Sequence, residues 1–282
     1  MILQVYKAQV DLLLQVLPYI AKEEIFALKG GTAINFFIRN MPRMSVDIEK
    51  YLSGIKVHAV SLNTGTDAKL NCQGKNAQIK IEVNTITRGH IFPTKLMQVV
   101  DSVQDKFGKF AAINVVSFAE LYGGKICAAI DRQHPRDIFD VKLLLENEGF
   151  TDEIWEGFKI GLISHYKPIN ELLSPILKDQ KSAFENQFAG MTTDEFTYED
   201  YEHTRKTLID SILQGLTEYD KKFLLSFEMG DPEWGLFPPE AIKDLPAVRW
   251  KLLNIQKLRK ANPAKHERMI NELKITLGFS VV

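Results

Sequence analysis

The sequence predicts an α+β fold in which a strand-bearing part, residues 1–115, is followed by a helical part, residues 116–282. Three observations carry that prediction. Between Ile55 and Thr87 the chain alternates apolar and polar positions and is rich in β-branched side chains, the pattern of strands with one buried face. From about Thr151 the alternation stops, and segments such as TRKTLIDSILQGL and PAVRWKLLNIQKLRK repeat their apolar residues at helical spacing. The composition, 45% hydrophobic and 25% charged over 282 residues, belongs to a globular chain able to bury a sizeable core.

The elements follow in order. Residues 3 to 22 place apolar side chains at helical spacing, and Lys7 and Asp11 interrupt the run, so it reads as an amphipathic helix rather than a signal peptide. IFAL at 25 to 28, short, apolar and followed by a glycine pair, reads as a buried strand. A helix then begins with Thr32 as its cap and runs through AINFFIRN until Pro42 stops it. SVDI at 45 to 48 reads as a second short strand. GIKVHAVSLN, AKLNCQG and NAQIKIEVNTI form an antiparallel hairpin region, with Gly74, Lys75 and Asn76 supplying a turn. After Pro93 the pattern returns to helix. Ser117 and Glu120 form a capping box before LYGGKICAAIDR, and Pro135 opens a further helix, RDIFDVKLLLEN, that ends near Gly149.

A formal net charge of -1 means that any nucleic-acid contact has to come from a local basic face, because the molecule has no attractive field of its own. Cys72 and Cys127 are the two cysteines and do not form a C-x-x-C pair, which predicts buried thiols in a reducing compartment. No stretch of roughly 18 apolar residues occurs. A cytoplasmic protein without a membrane span is expected.

Four segments carry chemistry. Lys29, Gly30, Gly31 and Thr32 join a strand to a helix, where backbone amides attract anions and a missing side chain lets a phosphate come close; by itself such a pair is more often a tight turn. Asp47 and Glu49 lie two apart on a strand and so share a face, where a hard cation such as Mg²⁺ would relieve their repulsion; a solvated strand end is the plainer reading. Glu82 sits in the apolar strand QIKIEVN with Lys80 at the same-face position. It either closes a triad with Asp47 and Glu49 around two divalent ions, for in-line attack on a nucleotide α-phosphate, or pairs with Lys80 at a sheet edge. Finally, Lys125 follows Gly123 and Gly124 on one helix, and Arg136, Asp137 and Asp140 open the next. The glycines cost helix stability and allow something to approach the backbone, and Lys125 and Arg136 suit phosphate neutralisation, whereas the acids alone would merely complement a helix dipole.

In this order, GGT, then R-x-S-x-D-x-E, then K-I-E-V-N, then GGK and R-D-x-x-D, the chain resembles the AbiEii/AbiGii nucleotidyl transferase toxins, of the DNA polymerase β-like superfamily, over nearly its whole length. LPAVRWKLLNIQKL followed by NPAKH looks like that family's C-terminal helical region. The resemblance implies a nucleotidyltransferase-type mixed sheet with flanking helices, then a helical domain contributing Lys and Asp to the active-site cleft. It implies transfer of a nucleotide from an NTP to an acceptor, tRNA in some relatives, with Mg²⁺ or Mn²⁺. It also implies an abortive-infection role and a cognate antitoxin, a separately encoded transcriptional regulator that forms no stable complex. By motif position, Gly30, Gly31 and Thr32 match the phosphate loop, and Arg43 and Ser45 the residues before the acids. Asp47 matches the first metal-binding acid, Glu82 the strand acid, and Lys125 and Asp137 the later basic and acidic residues.

The chain departs from the family between Glu49 and Glu82, where hairpin strands leave no room for the second Asp and long helical stretch that relatives carry. Two readings therefore stand beside RNA modification: transfer to protein hydroxyls, and a non-catalytic protein that binds nucleotide or a partner. The histidines lack metal-ligand spacing, and neither a G-x-S-x-G elbow nor a Walker loop is present. Trp234 and Trp250 read as core. Lys251, Lys257, Arg259, Lys260, Lys265 and Arg268 read as either a solvated helix or a basic face for phosphates.

Overall fold

The computed structural model describes residues 2–23, 26–41, 56–61, 68–82, 89–237 and 240–280. The chain forms two compact units. One comprises Met1–Thr85, Phe92–Leu121 and Ser182–Phe196, the other Ile86–Ile91, Tyr122–Lys181 and Thr197–Val282.

In the first unit, α1 (Ile2–Ile20) buries Val10, Leu13, Leu14 and Leu17 at the spacing of one helix face, while Asp11, on the more open side, pairs with Lys109. Leu28 does not extend into a described strand. It makes a single parallel bridge to Val115, its N–H donating to the Asn114 carbonyl at 2.6 Å. The following helix is capped two residues earlier than expected. Gly30 is its N-cap and Thr32 lies buried within the first turn of α2 (Gly31–Ala33), which widens into a π-helical turn, Ile34–Ile38, burying Phe36 and Phe37. The strand expected at SVDI lies outside the described residues.

The hairpin region is as expected: β1 (Lys56–Ser61), β2 (Ala68–Gln73) and β3 (Gln78–Glu82) pair antiparallel in the order β1-β2-β3. The turn at Gly74 is closed by its N–H donating to the Ala77 carbonyl at 2.8 Å, and Cys72 and Ile79, register partners, are both buried. After Pro93, however, the chain first forms β4 (Lys95–Gln98), then α3 (Asp101–Phe107), then β5 (Ala112–Val115), and β4 and β5 pair antiparallel. Among the described residues the sheets are therefore small, and mixed character enters at the Leu28 bridge.

From α4 (Phe118–Arg132) onward the described chain is helical: α5 (Pro135–Asn147), α6 (Asp152–Ser164), α7 (Ile169–Leu173), α8 (Lys181–Ala183), α9 (Tyr198–Gly215), α10 (Glu218–Glu228), α11 (Pro246–Ala261) and α12 (Pro263–Leu277). Local rules explain most boundaries. Ser117 Oγ accepts from the Glu120 N–H at 3.2 Å at the start of α4, Pro135 occupies the first turn of α5, and Thr197 and Thr217 each close a capping box with an aspartate. In the second unit, α5 packs on α9, α6 on α11, and α12 on α7, α10 and α11. No helix among the described residues is long and apolar enough to cross a membrane.

Candidate functional site

Gly30 has φ 83° and ψ -161°, a conformation open essentially to glycine alone, and a side chain placed there would meet nothing within 4 Å. The backbone, not crowding, is what demands glycine, and the space beside it is open. The Ile34 N–H donates to the Gly30 carbonyl at 3.2 Å and the Asn35 amide to the Gly31 carbonyl at 2.7 Å, which fixes the loop to the helix that follows.

Of the acids, Asp47 and Glu49 lie outside the described residues, as do Arg43 and Ser45 before them. Glu82 ends β3 at the register position opposite Lys69, and Lys80 stands opposite Asn71; both side chains lie outside the description. Among the described residues no group of three or more His, Cys, Asp and Glu side chains is placed to hold a metal ion.

The second unit brings the later residues together. Lys125 on α4 is buried, and its Nζ lies 3.0 Å from Asp137 Oδ1 and 2.8 Å from Asp140 Oδ2, both on the first turns of α5. Arg132 Nη2 meets the other oxygen of Asp137 at 2.8 Å, with 61% of the Arg132 side chain exposed. Two buried carboxylates, one buried ammonium and one exposed guanidinium thus meet in one cluster. Arg136 stands at the head of α5, its N–H donating to His134 Nδ1 at 3.2 Å.

What holds this cluster is the turn between α4 and α5. Gln133 sits there with φ 55°, unusual for a residue with a side chain, and is 1% exposed. Its Oε1 accepts from the Lys178 N–H at 2.9 Å and from Arg205 Nη1 at 3.2 Å, its Nε2 donates to the Ile176 carbonyl at 2.8 Å, and its carbonyl accepts from the Tyr201 hydroxyl at 2.7 Å. Sequence reasoning missed Gln133 and Arg132. Nothing in a glutamine before His-Pro announces a left-handed backbone, although Arg132, four residues before Arg136, was legible as a charge.

Gly123, before Lys125, faces another helix. A Cβ on Gly123 would stand 2.1 Å from the Gly157 carbonyl carbon, so what approaches that backbone is α6, helix against helix. Lys251 also departs from expectation, being 3% exposed rather than on a basic face; its Nζ donates to the carbonyls of Leu162 at 3.0 Å and Lys167 at 2.8 Å. Burial, ahead of the attraction of Glu228, brings its pKa down to about 8. Trp250 is half-exposed, not core.

The family model described as nucleotidyl transferase AbiEii toxin, type IV toxin–antitoxin system, matches residues 11–49 and 53–254. A search of curated protein sequences gives no significant match. Among solved structures the fold is similar to MenT4, a nucleotidyltransferase toxin from Mycobacterium tuberculosis H37Rv, with 13% identity and a TM-score of 0.54 over 95% of this chain and 93% of that one.

Proposed function

The chain belongs to the nucleotidyl transferase AbiEii toxin family of type IV toxin–antitoxin systems, and on that premise we propose that it transfers a nucleotide from an NTP to an RNA acceptor, tRNA in this reading. The observation that carries the proposal is the reach of the family match, which includes Gly30 to Thr32, Asp47, Glu82, Lys125 and Asp137. In this reading residues 1–115 form the nucleotidyltransferase domain and 116–282 the helical domain, and the protein works in the cytoplasm.

The chain's own residues divide the work. The open, side-chain-free backbone at Gly30, with Gly31 and Thr32, orients the triphosphate, helped by Arg43, Ser45, Lys80 and Arg136. Asp47, Glu49 and Glu82 offer carboxylate oxygens alone, a donor set that fits Mg²⁺ or Mn²⁺. Bound there, a metal pair would assist deprotonation of the acceptor hydroxyl and neutralise charge on the leaving pyrophosphate. The acceptor oxygen attacks the α-phosphorus as the bond to pyrophosphate breaks. Lys125 holds Asp137 and Asp140 in a fixed arrangement, and Arg132 is the cluster's cation that solvent, and so a phosphate, can reach.

Incubating the protein with α-labelled NTPs, Mg²⁺ and cell extract is expected to label RNA. Label in protein instead would select the protein-modifying alternative, and no label in either polymer would overturn catalysis. Asp47→Ala is expected to abolish toxicity with an unchanged melting temperature; unaltered toxicity would point to the non-catalytic binding protein. The antitoxin, a separate transcriptional regulator, is expected not to co-purify.

A further inference from the structure

In the second unit α11 turns Trp250 and Lys251 toward a cavity of about 460 Å³, whose other walls are Glu228 at the end of α10, Tyr166 after α6, and Lys265 and Arg268 on the first turns of α12. We propose that this cavity holds one unpaired nucleotide of the RNA acceptor, an inference that rests on the RNA-directed reading above.

Each wall offers one part of what a nucleotide needs. Trp250 is 46% exposed and Tyr166 53%, large rings on an open surface, as platforms for stacking a base are. The opposite chemistry lies deeper. Lys251 spends two of its three N–H groups on the Leu162 and Lys167 carbonyls, and the third has no partner among the described residues. Glu228 is 1% exposed, and among the described residues its carboxylate receives one long bond, from the Ile169 N–H to Oε2 at 3.4 Å. Burial, outweighing the attraction of Lys251, raises the Glu228 pKa. A base edge, with donors and acceptors side by side, has partners for both the Lys251 ammonium and the Glu228 carboxylate.

The rim decides against a bare anion as the ligand. Lys265 and Arg268 are exposed and make no ion pair among the described residues, so both are available to a phosphate. Glu171 and Glu272 share the same rim, however, the latter held by the Asn170 amide at 2.8 Å. A ligand rich in charge and poor in ring surface would meet as much repulsion as attraction there. One ring, one hydrogen-bonding edge and one phosphate is the set that matches all the walls, and the volume lies in the range of sites for such molecules.

The test uses the full chain and a fluorescently labelled single-stranded RNA pentanucleotide of mixed sequence, read by anisotropy, with a heparin fragment of similar charge as competitor. The RNA is expected to bind, and Trp250→Leu and the surface variant Arg268→Ala are each expected to weaken it about tenfold or more, with unchanged melting temperatures. Heparin displacing the RNA at equal concentration, or unaltered binding by both variants, would overturn the inference. In the labelled-NTP assay Trp250→Leu is expected to raise KM for the acceptor and leave KM for the NTP unchanged. Transfer to RNA with an unaltered acceptor KM sinks this inference alone. RNA binding that depends on Trp250 without any transfer sinks the enzymatic reading and leaves the cavity's role standing.

Discussion

Gly123→Ala separates two meanings of the glycine pair before Lys125, a place for a ligand or a place for a helix. A Cβ on Gly123 would lie 2.1 Å from the carbonyl carbon of Gly157, 2.2 Å from its oxygen and 2.5 Å from the Phe158 nitrogen. All three are backbone atoms, so no rotamer change relieves the overlap. Ordinary van der Waals contact begins at 3.4 Å, so α4 and α6 would have to part by more than about 1 Å. The same seam is tight from the other side, where a Cβ on Gly161 would stand 2.7 Å from Cys127 Sγ and 3.3 Å from the Gly123 oxygen. Alanine in a helix interior is favoured over glycine by about 1 kcal/mol. Overpacking a core costs about 1–3 kcal/mol and more when backbone must move, so the clash wins and a net loss of about 2 kcal/mol or more is expected. In a chain of this size that lowers the melting temperature by about 4–8 °C. Thermal unfolding followed by circular dichroism measures it, with Gly235→Ala as control, because a Cβ there meets nothing within 4 Å. An unchanged melting temperature together with weakened NTP binding would refute the helix-seam argument and restore the ligand reading.

Two further outcomes follow from buried charge. Lys125→Met removes the ammonium that bridges Asp137 and Asp140, whose side chains are 5% and 0% exposed, and is expected to destabilise the fold by about 3–5 kcal/mol; a denaturant midpoint equivalent to less than about 1 kcal/mol would contradict the cluster's structural role. His165 has Asp131 Oδ2 3.5 Å from its Nε2, which favours the imidazolium, but burial, joined by Lys251 and Lys167, outweighs it and pushes the pKa from 6.5 to about 4. The unfolded chain therefore takes the proton first as pH falls, so the stability His165 contributes is present above about pH 6.5 and is lost on the way down to about 4. His165→Gln is expected to lose less melting temperature than the parent across that interval, and parallel curves would show that another group sets the acid limit.

What the sequence made legible was whatever a single element determines for itself. The apolar stripe of α1, the glycine turn between β2 and β3, and Pro135 at the head of α5 are local choices with local signals. β4 and β5 carried no such signal. At four residues each they are too short to show a period, and they exist because Lys95–Gln98 finds Ala112–Val115 as its partner across α3. The candidate site divides along the same line. Lys125 and Asp137 were visible as residue types, but their convergence depends on the left-handed backbone of Gln133, which Lys178, Tyr201 and Arg205 hold from elsewhere in the chain.

The burial of Lys251 has a signal in the sequence, its phase on α11. Within a run rich in lysine and arginine it looks like its neighbours, and counted as charge it joins a basic face. Counted by position, it stands three residues after Val248 and four before Ile255, and both of those, with Ala247, are buried. A lysine at that phase of α11 has its stem committed to the core, and its head must then find oxygen acceptors there, which the carbonyls of Leu162 and Lys167 supply. The same phase sets its partner chemistry: an ammonium fixed at the inner end of a cavity, opposite the equally buried Glu228, is positioned to read a ligand's edge rather than to attract a distant phosphate.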